Sequence, residues 1–270
     1  MTSVTRLRQA RLGRPPVALI VPAAIAALLL VVPMVTLIAD TPWSDFADQV
    51  TSRAVGEALW LTVLASAFTV VLCLLLGTPL AWVLARVAFP GRSLLRAAVL
   101  VPLVLPPVVA GVALVTALGR TGFIGRPLYD GFGITIPYTT TAVVIAHTFV
   151  SLPFYVLAVE GALRSAGEEY DAVAATLGAD RWTTFRRVTL PLAMPGVLAG
   201  AALAWARSLG EFGATITFAG NYPGTTQTMP LLIYTQLQSD PLVARTVSMV
   251  LLIVSIGVLA LLRNRWLTRP

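Results

Sequence analysis

The sequence predicts an all-α membrane protein with six transmembrane helices. Of its 270 residues, 57% are hydrophobic and only 11% are charged, whereas soluble domains carry charge on about 25% of residues. Too few charges remain to build a surface that faces water. Six apolar stretches also approach the roughly 20 residues that a helix needs to cross the hydrocarbon core of a bilayer.

Charged residues mark the ends of the predicted helices. The first stretch follows a run of arginines, as a signal peptide would, but its apolar core is too long and no small-residue cleavage site precedes Asp40. The sequence Gly77-Thr78-Pro79 breaks the second stretch near its end. The chain is predicted to be one transmembrane domain, 1–270, with a cytoplasmic tail of 1–16 and a core of 17–262. The predicted spans are 17–39, 58–85, 97–118, 138–159, 192–219 and 246–262.

The basic residues predict the orientation of the chain. There are 19 of them, and all are arginines. If the N-terminus is cytoplasmic, most arginines lie on the cytoplasmic side, as the positive-inside rule requires, and both termini are cytoplasmic. The net charge of +7 then reflects anchoring beside the membrane rather than nucleic-acid binding. The cytoplasmic set is Arg6, Arg8, Arg11, Arg14, Arg86, Arg92, Arg96, Arg164, Arg181, Arg186, Arg187, Arg263, Arg265 and Arg269.

The longest cytoplasmic connection, 160–191, predicts two short helices outside the membrane. Ser165 and Glu168 have the spacing of a capping box that starts the first helix, and Gly178 is suited to stop it. Asp180 can cap a second helix, which ends at Pro191. An apolar stripe at helical spacing consists of Tyr170, Val173, Ala174 and Leu177. This stripe packs either on the ends of the chain's own helices or on a cytoplasmic partner.

The string EEYDAVAATLGADRWTTFRRVTLPLAMPG, residues 168–196, carries a longer pattern. Gly178, nine intervening residues, Val188, Leu190 and Pro191 follow one another in the spacing of a known motif. The segment resembles the EAA loop of permease subunits in bacterial ABC importers. Ala174 matches the opening of that motif, but its usual glutamate is missing, and Glu169 or Asp171 is predicted to supply the carboxylate.

The resemblance implies a transport subunit of the prokaryotic plasma (inner) membrane that works with several partners. In the family, this loop docks on an ATP-binding subunit, and two such subunits bind ATP and magnesium. The chain has no lysine and therefore no phosphate-binding loop, so it is predicted to be no enzyme and to bind no cofactor. A homodimer and an external oxyanion-binding protein complete the expected assembly. The predicted coupling residues are Glu168, Glu169, Tyr170, Asp171, Ala174, Leu177, Gly178, Trp182, Leu190 and Pro191.

Two further strings point to the substrate. They are VPLVLPPVVAG at 101–111 and ARSLGEFGATITFAGN at 206–221, and both resemble molybdate and sulfate permeases. GEFGATITFAGN, followed by PGTTQTMPLLIY, is most similar to the molybdate type. The resemblance therefore implies a molybdate permease, with sulfate, thiosulfate or tungstate as alternative substrates. A stand-alone secondary anion carrier is a further alternative, but it would not need the EAA-like loop.

Arg207 and Glu211 are charged residues deep in the fifth predicted span. Their spacing places them on one face of a helix, near the middle of the membrane. Charges at this depth indicate a functional site by default. Arg207 is predicted to line an anion path, whereas for Glu211 a purely structural ion pair is nearly as well supported. The predicted path or gate consists of Pro106, Pro107, Gly111, Arg207, Gly210, Glu211 and Gly213.

The remaining candidate residues predict structure rather than chemistry. A lone His147 without cysteine or carboxylate neighbours is not a metal site, and it is expected to bind a group such as Thr148 or Ser151 across helices. Cys73 is expected to be buried. No constellation for nucleophilic catalysis is present in the sequence. The external connections 40–56 and 220–240 are either solvated loops or contacts for a binding protein.

Overall fold

The chain folds into a bundle of helices, and the computed structural model describes residues 17–266, which contain no strand. The predicted tail, 1–16, lies outside the described residues. The predicted all-α fold is confirmed. The helices are α1 (Val17–Ala39), α2 (Phe46–Val50), α3 (Arg53–Leu72), α4 (Thr78–Arg86), α5 (Arg92–Val104), α6 (Pro107–Leu118), α7 (Gly125–Phe132), α8 (Thr140–Ser165), α9 (Glu169–Thr176), α10 (Arg181–Thr184), α11 (Leu190–Leu209), α12 (Gly213–Phe218), α13 (Met229–Ser239) and α14 (Pro241–Trp266).

Within residues 17–266, five helical stretches are long and apolar enough to cross a membrane, and the pair α5–α6 counts as a sixth if it is one span. The second stretch is continuous over 34 residues, from Arg53 to Arg86. A π-helical turn, Cys73–Gly77, joins α3 to α4. The predicted break at Gly77-Thr78-Pro79 is wrong, because the helix continues through these residues by way of the π-helical turn, and Pro79 follows in the first turn of α4.

The third predicted span, 97–118, is not a straight helix. Leu105 and Pro106 each precede a proline, and the ring of the following proline disfavours helical backbone. Both residues are extended, with ψ values of 132° and 135°. As a result, α5 and α6 meet at an angle of 119°. Pro102, by contrast, is accommodated inside α5.

The fifth predicted span, 192–219, is also wrong at its end. Helix α11 stops at Leu209, and α12 starts at Gly213. Glu211 therefore lies in the connection between the two helices, not on the helix that carries Arg207. Its carboxylate Oε1 accepts a hydrogen bond from the Ala214 N–H at 2.7 Å, so that the side chain caps the new helix.

Helix α8 is the centre of the bundle. In its most apolar stretch of 18 residues, 61% of the residues are buried, whereas none are buried in the corresponding stretch of the peripheral helix α1. Helix α8 packs on α3, α4 and α11. The buried ring of Tyr155 occupies the space left by Gly77 and Gly200, and its hydroxyl lies 2.6 Å from Thr78 Oγ1. Small residues thus let three spans approach one another closely around α8.

Much of the connection 220–240, which is predicted to be external, is helical. Met229 and Leu232 on α13 are buried in a cluster with Val55 and Val247. The Met229 N–H also donates to Thr62 Oγ1 at 2.8 Å. The prediction of a solvated loop is therefore wrong for 229–239, because this segment covers the ends of α3 and α14.

Candidate coupling surface and translocation path

The predicted coupling segment begins with α9, without a capping box. Helix α8 continues to Ser165, whose hydroxyl donates to the carbonyl of Gly161 at 3.0 Å. Glu168 precedes α9, but its side chain caps no N–H there. The capping-box prediction is wrong because Ser165 still belongs to the longer helix, and a carbonyl of that helix binds its hydroxyl.

The predicted end of the first short helix at Gly178 and the predicted start of a second helix after Asp180 are confirmed. Gly178 has a φ of +85°, in the left-handed region that favours glycine. Asp180 caps α10, because its Oδ1 accepts a hydrogen bond from the Thr183 N–H at 2.9 Å. Hydrogen bonds from Thr183 hold the pKa of Asp180 below its ordinary value. These residues set the turn between α9 and α10.

Most of the predicted apolar stripe is exposed. Tyr170 is 55% exposed, Val173 57% and Leu177 83%, whereas Ala174 is 8% exposed and packs on the chain itself. Trp182 on α10 adds a ring that is 66% exposed. We call Tyr170, Val173, Leu177 and Trp182 the docking face. Tyr170, Val173 and Leu177 lie outside the candidate membrane spans, whereas Trp182 lies in the first turn of the span Arg181–Leu209. Exposed large apolar side chains are typical of interaction surfaces.

Helix α10 is not a separate helix that ends at Pro191. A π-helical turn, Phe185–Thr189, joins it to α11, so that one helix of 29 residues runs from Arg181 to Leu209. Leu190 and Pro191 follow that π-helical turn as the first residues of α11. Trp182 and Arg207 therefore lie near opposite ends of one continuous helix.

Arg86, at the end of α4, holds the coupling segment against the second span. Its guanidinium lies 3.3 Å from the carboxylate of Glu168 and 3.5 Å from that of Asp171, and it donates to the carbonyl of Gly167. The Arg86 side chain is only 9% exposed. The hydroxyl of Thr189 also donates to Asp171, at 2.8 Å. Asp171 thus connects α9 to both neighbouring spans.

The sequence alone did not place Arg86 in this site. Its only local signal is a position at the end of a membrane span, which many arginines share. Of the two predicted substitutes for the family glutamate, Asp171 makes the ionic contact. Glu169 is exposed and has no ion pair within the part of the chain that the structure describes.

Arg207 and Glu211 form an ion pair across the end of α11. Arg207 Nη1 lies 2.6 Å from Glu211 Oε2, and the two side chains are 27% and 1% exposed. The second oxygen of Glu211 caps α12. The carboxylate is therefore fully engaged in structure, while the guanidinium keeps an exposed portion and further donors.

The single histidine belongs to a buried chain of polar groups beside this ion pair. His147 Nδ1 lies 2.8 Å from the Ser208 hydroxyl, which donates to Ser66 at 3.1 Å. The prediction of an interhelical bond is right in kind, but the partner is neither Thr148 nor Ser151. The hydroxyl of Thr148 binds a carbonyl within its own helix, and the close packing of α8 on α11 supplies Ser208 instead.

Two of the predicted path glycines allow α6 and α12 to pack together. A Cβ on Gly111 would collide with the Thr217 hydroxyl, and one on Gly213 would lie 2.7 Å from Pro107 Cβ. Both glycines are buried. The absence of their side chains therefore positions the bent pair α5–α6 against the segment that carries Glu211.

The other predicted path residues lie on the protein surface. Pro106, Pro107 and Gly210 are exposed. Gly210 borders an apolar cleft of about 340 Å³. One wall of this cleft carries Phe212 and Tyr234, whose ring centroids are 5.0 Å apart. This region thus combines a partly buried ion pair with exposed proline and glycine positions.

A bundle of membrane spans, with a partly exposed arginine in one span and exposed apolar residues on the connecting helix α9, agrees with one class of protein, the transmembrane subunit of a transporter. The chain belongs to the family of binding-protein-dependent transport system inner membrane components, whose family model matches residues 77–269. The predicted family resemblance is therefore confirmed.

The chain is similar to named permeases over most of its length. It is 50% identical to the molybdenum transport system permease protein ModB of Mycobacterium tuberculosis, over 87% of this chain and 88% of the relative. Identity to ModB of Escherichia coli is 42%, covering 79% and 93%. Identity to the sulfate transport system permease protein CysT of Escherichia coli is 38%, covering 78% and 77%.

Solved structures share the fold. One is a bacterial ABC transporter involved in the import of alginate, with a TM-score of 0.75 and 19% identity over 93% of this chain and 95% of that chain. Another is the MetNI methionine ABC transporter in inward-facing conformations, with a TM-score of 0.59 and 20% identity over 80% and 95%. At these identities the likeness concerns the fold.

Proposed function

We propose that this chain forms the membrane path of an ATP-driven importer and that the imported oxyanion is molybdate. The observation that carries the proposal is the 50% identity to ModB over 87% of the chain. The lower identity of 38% to CysT makes sulfate the weaker alternative, and tungstate and thiosulfate are alternatives of the same chemical class.

Arg207 is proposed to act on the anion directly. A doubly charged oxyanion is costly to place in a region of low dielectric unless positive charge and hydrogen-bond donors replace part of its water shell. The guanidinium offers a planar set of donors that suits anionic oxygens. Glu211 holds one edge of it at 2.6 Å, which leaves other donors for the anion and limits how tightly the anion binds.

The docking face is proposed to bind a separate ATP-binding subunit, which holds the ATP and magnesium. Movement of that subunit would reach the path in two ways. Arg86 ties α9 to the second span, and the continuous helix from Arg181 to Leu209 carries Trp182 near one end and Arg207 near the other. A helix transmits displacement along its axis because each turn is hydrogen-bonded to the next.

The proposed assembly contains two copies of this chain, two ATP-binding subunits and an external binding protein that delivers the oxyanion. A two-fold axis would bring two copies of Arg207 towards one path. Both termini would be cytoplasmic, on the same side as the docking face, as the arginine distribution predicts.

The test is uptake by complexes that are purified with their accompanying subunits and reconstituted in liposomes. We expect ATP-dependent uptake of molybdate that excess sulfate does not suppress. A preference for sulfate would replace the proposed substrate but not the transport role. Uptake driven by an ion gradient without ATP would favour a secondary carrier and would overturn the proposal.

A further inference from the structure

Three arginines lie together at the end of the bundle that carries the coupling segment, and two of them bind one carboxylate. Glu160 accepts hydrogen bonds from Arg96 and lies 2.9 Å from Arg164 Nη2. Arg92 donates to the carbonyls of Leu84 and Ala85 at 2.9 and 3.2 Å. The cluster therefore has three positive charges against the single negative charge of Glu160.

The arginines line an open cleft of about 430 Å³. Its other lining residues are Phe89, Gly91 and Ser93, and it lies at the N-terminal end of α5. The first-turn amides and the dipole of a helix both favour an anion at this end. Gly91 is left-handed, with a φ of +88°, and a Cβ there would meet nothing within 4 Å, so that a ligand can approach the backbone.

The guanidiniums keep donors for a ligand. Each guanidinium has five N–H donors, and Arg92 uses its Nε and Nη2 groups on backbone carbonyls. The side chain of Arg164 is 49% exposed and that of Arg96 31%. Glu160, by contrast, is 6% exposed and is already shared by two arginines, so it does not neutralise the cleft.

We infer that this cleft binds a phosphate group, as the headgroup of an anionic phospholipid. Bidentate donors and uncompensated charge are the chemistry that recognises phosphate oxygens, and basic pockets beside membrane helices are suited to anionic headgroups. A soluble phosphate compound would offer the same oxygens. The inference does not depend on which oxyanion the protein transports.

The surface beside the cleft favours a lipid over a soluble phosphate. Leu94, Val101 and Val104 on α5 are 73%, 48% and 85% exposed. Leu94 and Val101 are two helical turns apart, so both lie on one side of α5. This apolar surface begins next to the basic cleft. It would contact the acyl chains of a lipid whose phosphate group is bound by the arginines.

The experiment measures bound lipid on the full chain in its assembled transporter. Complexes are prepared in bilayer discs of phosphatidylcholine with a minor share of phosphatidylglycerol, and retained lipids are counted by native mass spectrometry. We expect wild-type protein to retain phosphatidylglycerol selectively. In Arg92→Gln and in Arg164→Gln, retention should fall about fivefold per arginine, which corresponds to about 1 kcal/mol per basic residue.

A matched control removes arginines that lie elsewhere. Arg120 and Arg126 are exposed and lie on the opposite, external side by the arginine distribution, and Arg120→Gln and Arg126→Gln should leave retention unchanged. Arg164→Lys, which keeps the charge but has fewer donors, should fall between wild type and Arg164→Gln. Thermal unfolding of each sample identifies variants that have lost lipid only because they have lost structure.

Separate samples receive inorganic phosphate in place of phosphatidylglycerol. We expect it to protect the complex against thermal unfolding much less than the lipid does. Equal protection by inorganic phosphate, abolished by Arg92→Gln, would assign the cleft to a soluble phosphate compound and overturn the lipid assignment. Equal phosphatidylglycerol retention by wild type and both glutamine variants would overturn the site itself.

Discussion

At the scale of the residue, we propose that the two members of the Arg207–Glu211 pair have separable functions. Glu211 is 1% exposed and both of its oxygens are engaged, one with Arg207 and one with the start of α12. Arg207 is partly exposed and has donors to spare. These contacts support the proposal that the carboxylate serves structure and the guanidinium serves the anion.

The first prediction follows from this division. Arg207→Gln should lower oxyanion uptake by roughly 10- to 100-fold, because hydrogen bonds to charged groups are worth about 1.5–3 kcal/mol. It should also lower stability, since it leaves Glu211 buried without its partner. Uptake by reconstituted complexes and thermal unfolding of the same preparations measure the two effects separately.

A double variant, Arg207→Gln with Glu211→Gln, distinguishes the two functions. It removes the unpaired charge, so stability should recover towards wild type while uptake stays low. Recovery of uptake together with stability would remove Arg207 from the path. The control is Arg126→Gln, because Arg126 forms an exposed pair of the same spacing with Asp130 at 3.4 Å and should affect neither measurement.

At the scale of the element, the contact between α6 and α12 depends on Gly111. Any larger residue would meet the Thr217 hydroxyl and the carbonyl of Ala214. Gly111→Val should therefore lower the free energy of unfolding by about 1–3 kcal/mol through overpacking. Gly257→Val is the matched control, because Gly257 also lies in a helix and a Cβ there would meet nothing within 4 Å. Equal melting temperatures for the two variants would contradict the packing argument.

In the coupling segment, the turn between α9 and α10 depends on the backbone conformation of Gly178. Gly178 has a φ of +85°, which proline cannot adopt, and its N–H donates to the carbonyl of Ala175 at 3.0 Å. Gly178→Pro should leave the spans folded but separate ATP hydrolysis from uptake, because the docking face would be displaced. The ratio of oxyanion taken up to ATP hydrolysed is the measurement.

Gly178→Asn is the appropriate comparison for that variant. Asparagine tolerates the left-handed conformation better than other residues with side chains, and a Cβ at Gly178 would meet nothing within 4 Å. This variant should therefore keep most of the wild-type ratio. Normal coupling in Gly178→Pro would argue strongly that the segment does not transmit the signal.

At the scale of the whole molecule, the exposed faces of α6 and of the α11 end are proposed to line a path between two copies of the chain. Cysteines at Pro107 and Gly210, introduced with Cys73→Ser, should cross-link between protomers or react with aqueous thiol reagents. Both positions are exposed, whereas Gly213 is buried and would report on packing instead. Lack of reaction at both positions in every nucleotide state would place the path elsewhere.

Properties that are local to a stretch of chain could be predicted from the sequence. Apolar runs identify membrane spans because a bilayer selects helices by length and hydropathy alone. The apolar stripe through Tyr170 and Leu177 follows from helical periodicity, although its exposure does not, and the Gly178 turn follows from the special conformational freedom of glycine. These features required no knowledge of neighbouring helices.

The tertiary structure alone decided how distant stretches meet. Arg86 contacts Asp171, and His147 reaches Ser208 across 61 positions of the chain. Neither partner could be read from the sequence, because many arginines and serines have equivalent local surroundings. The end of α11 before Glu211 is likewise a matter of tertiary structure, because there the Glu211 carboxylate accepts a hydrogen bond from the Ala214 N–H. The sequence by itself determined that this is a membrane transport subunit, and it predicted where a coupling segment would lie. The partners within each site were decided by packing, because contact energies depend on three-dimensional distance rather than on order along the chain.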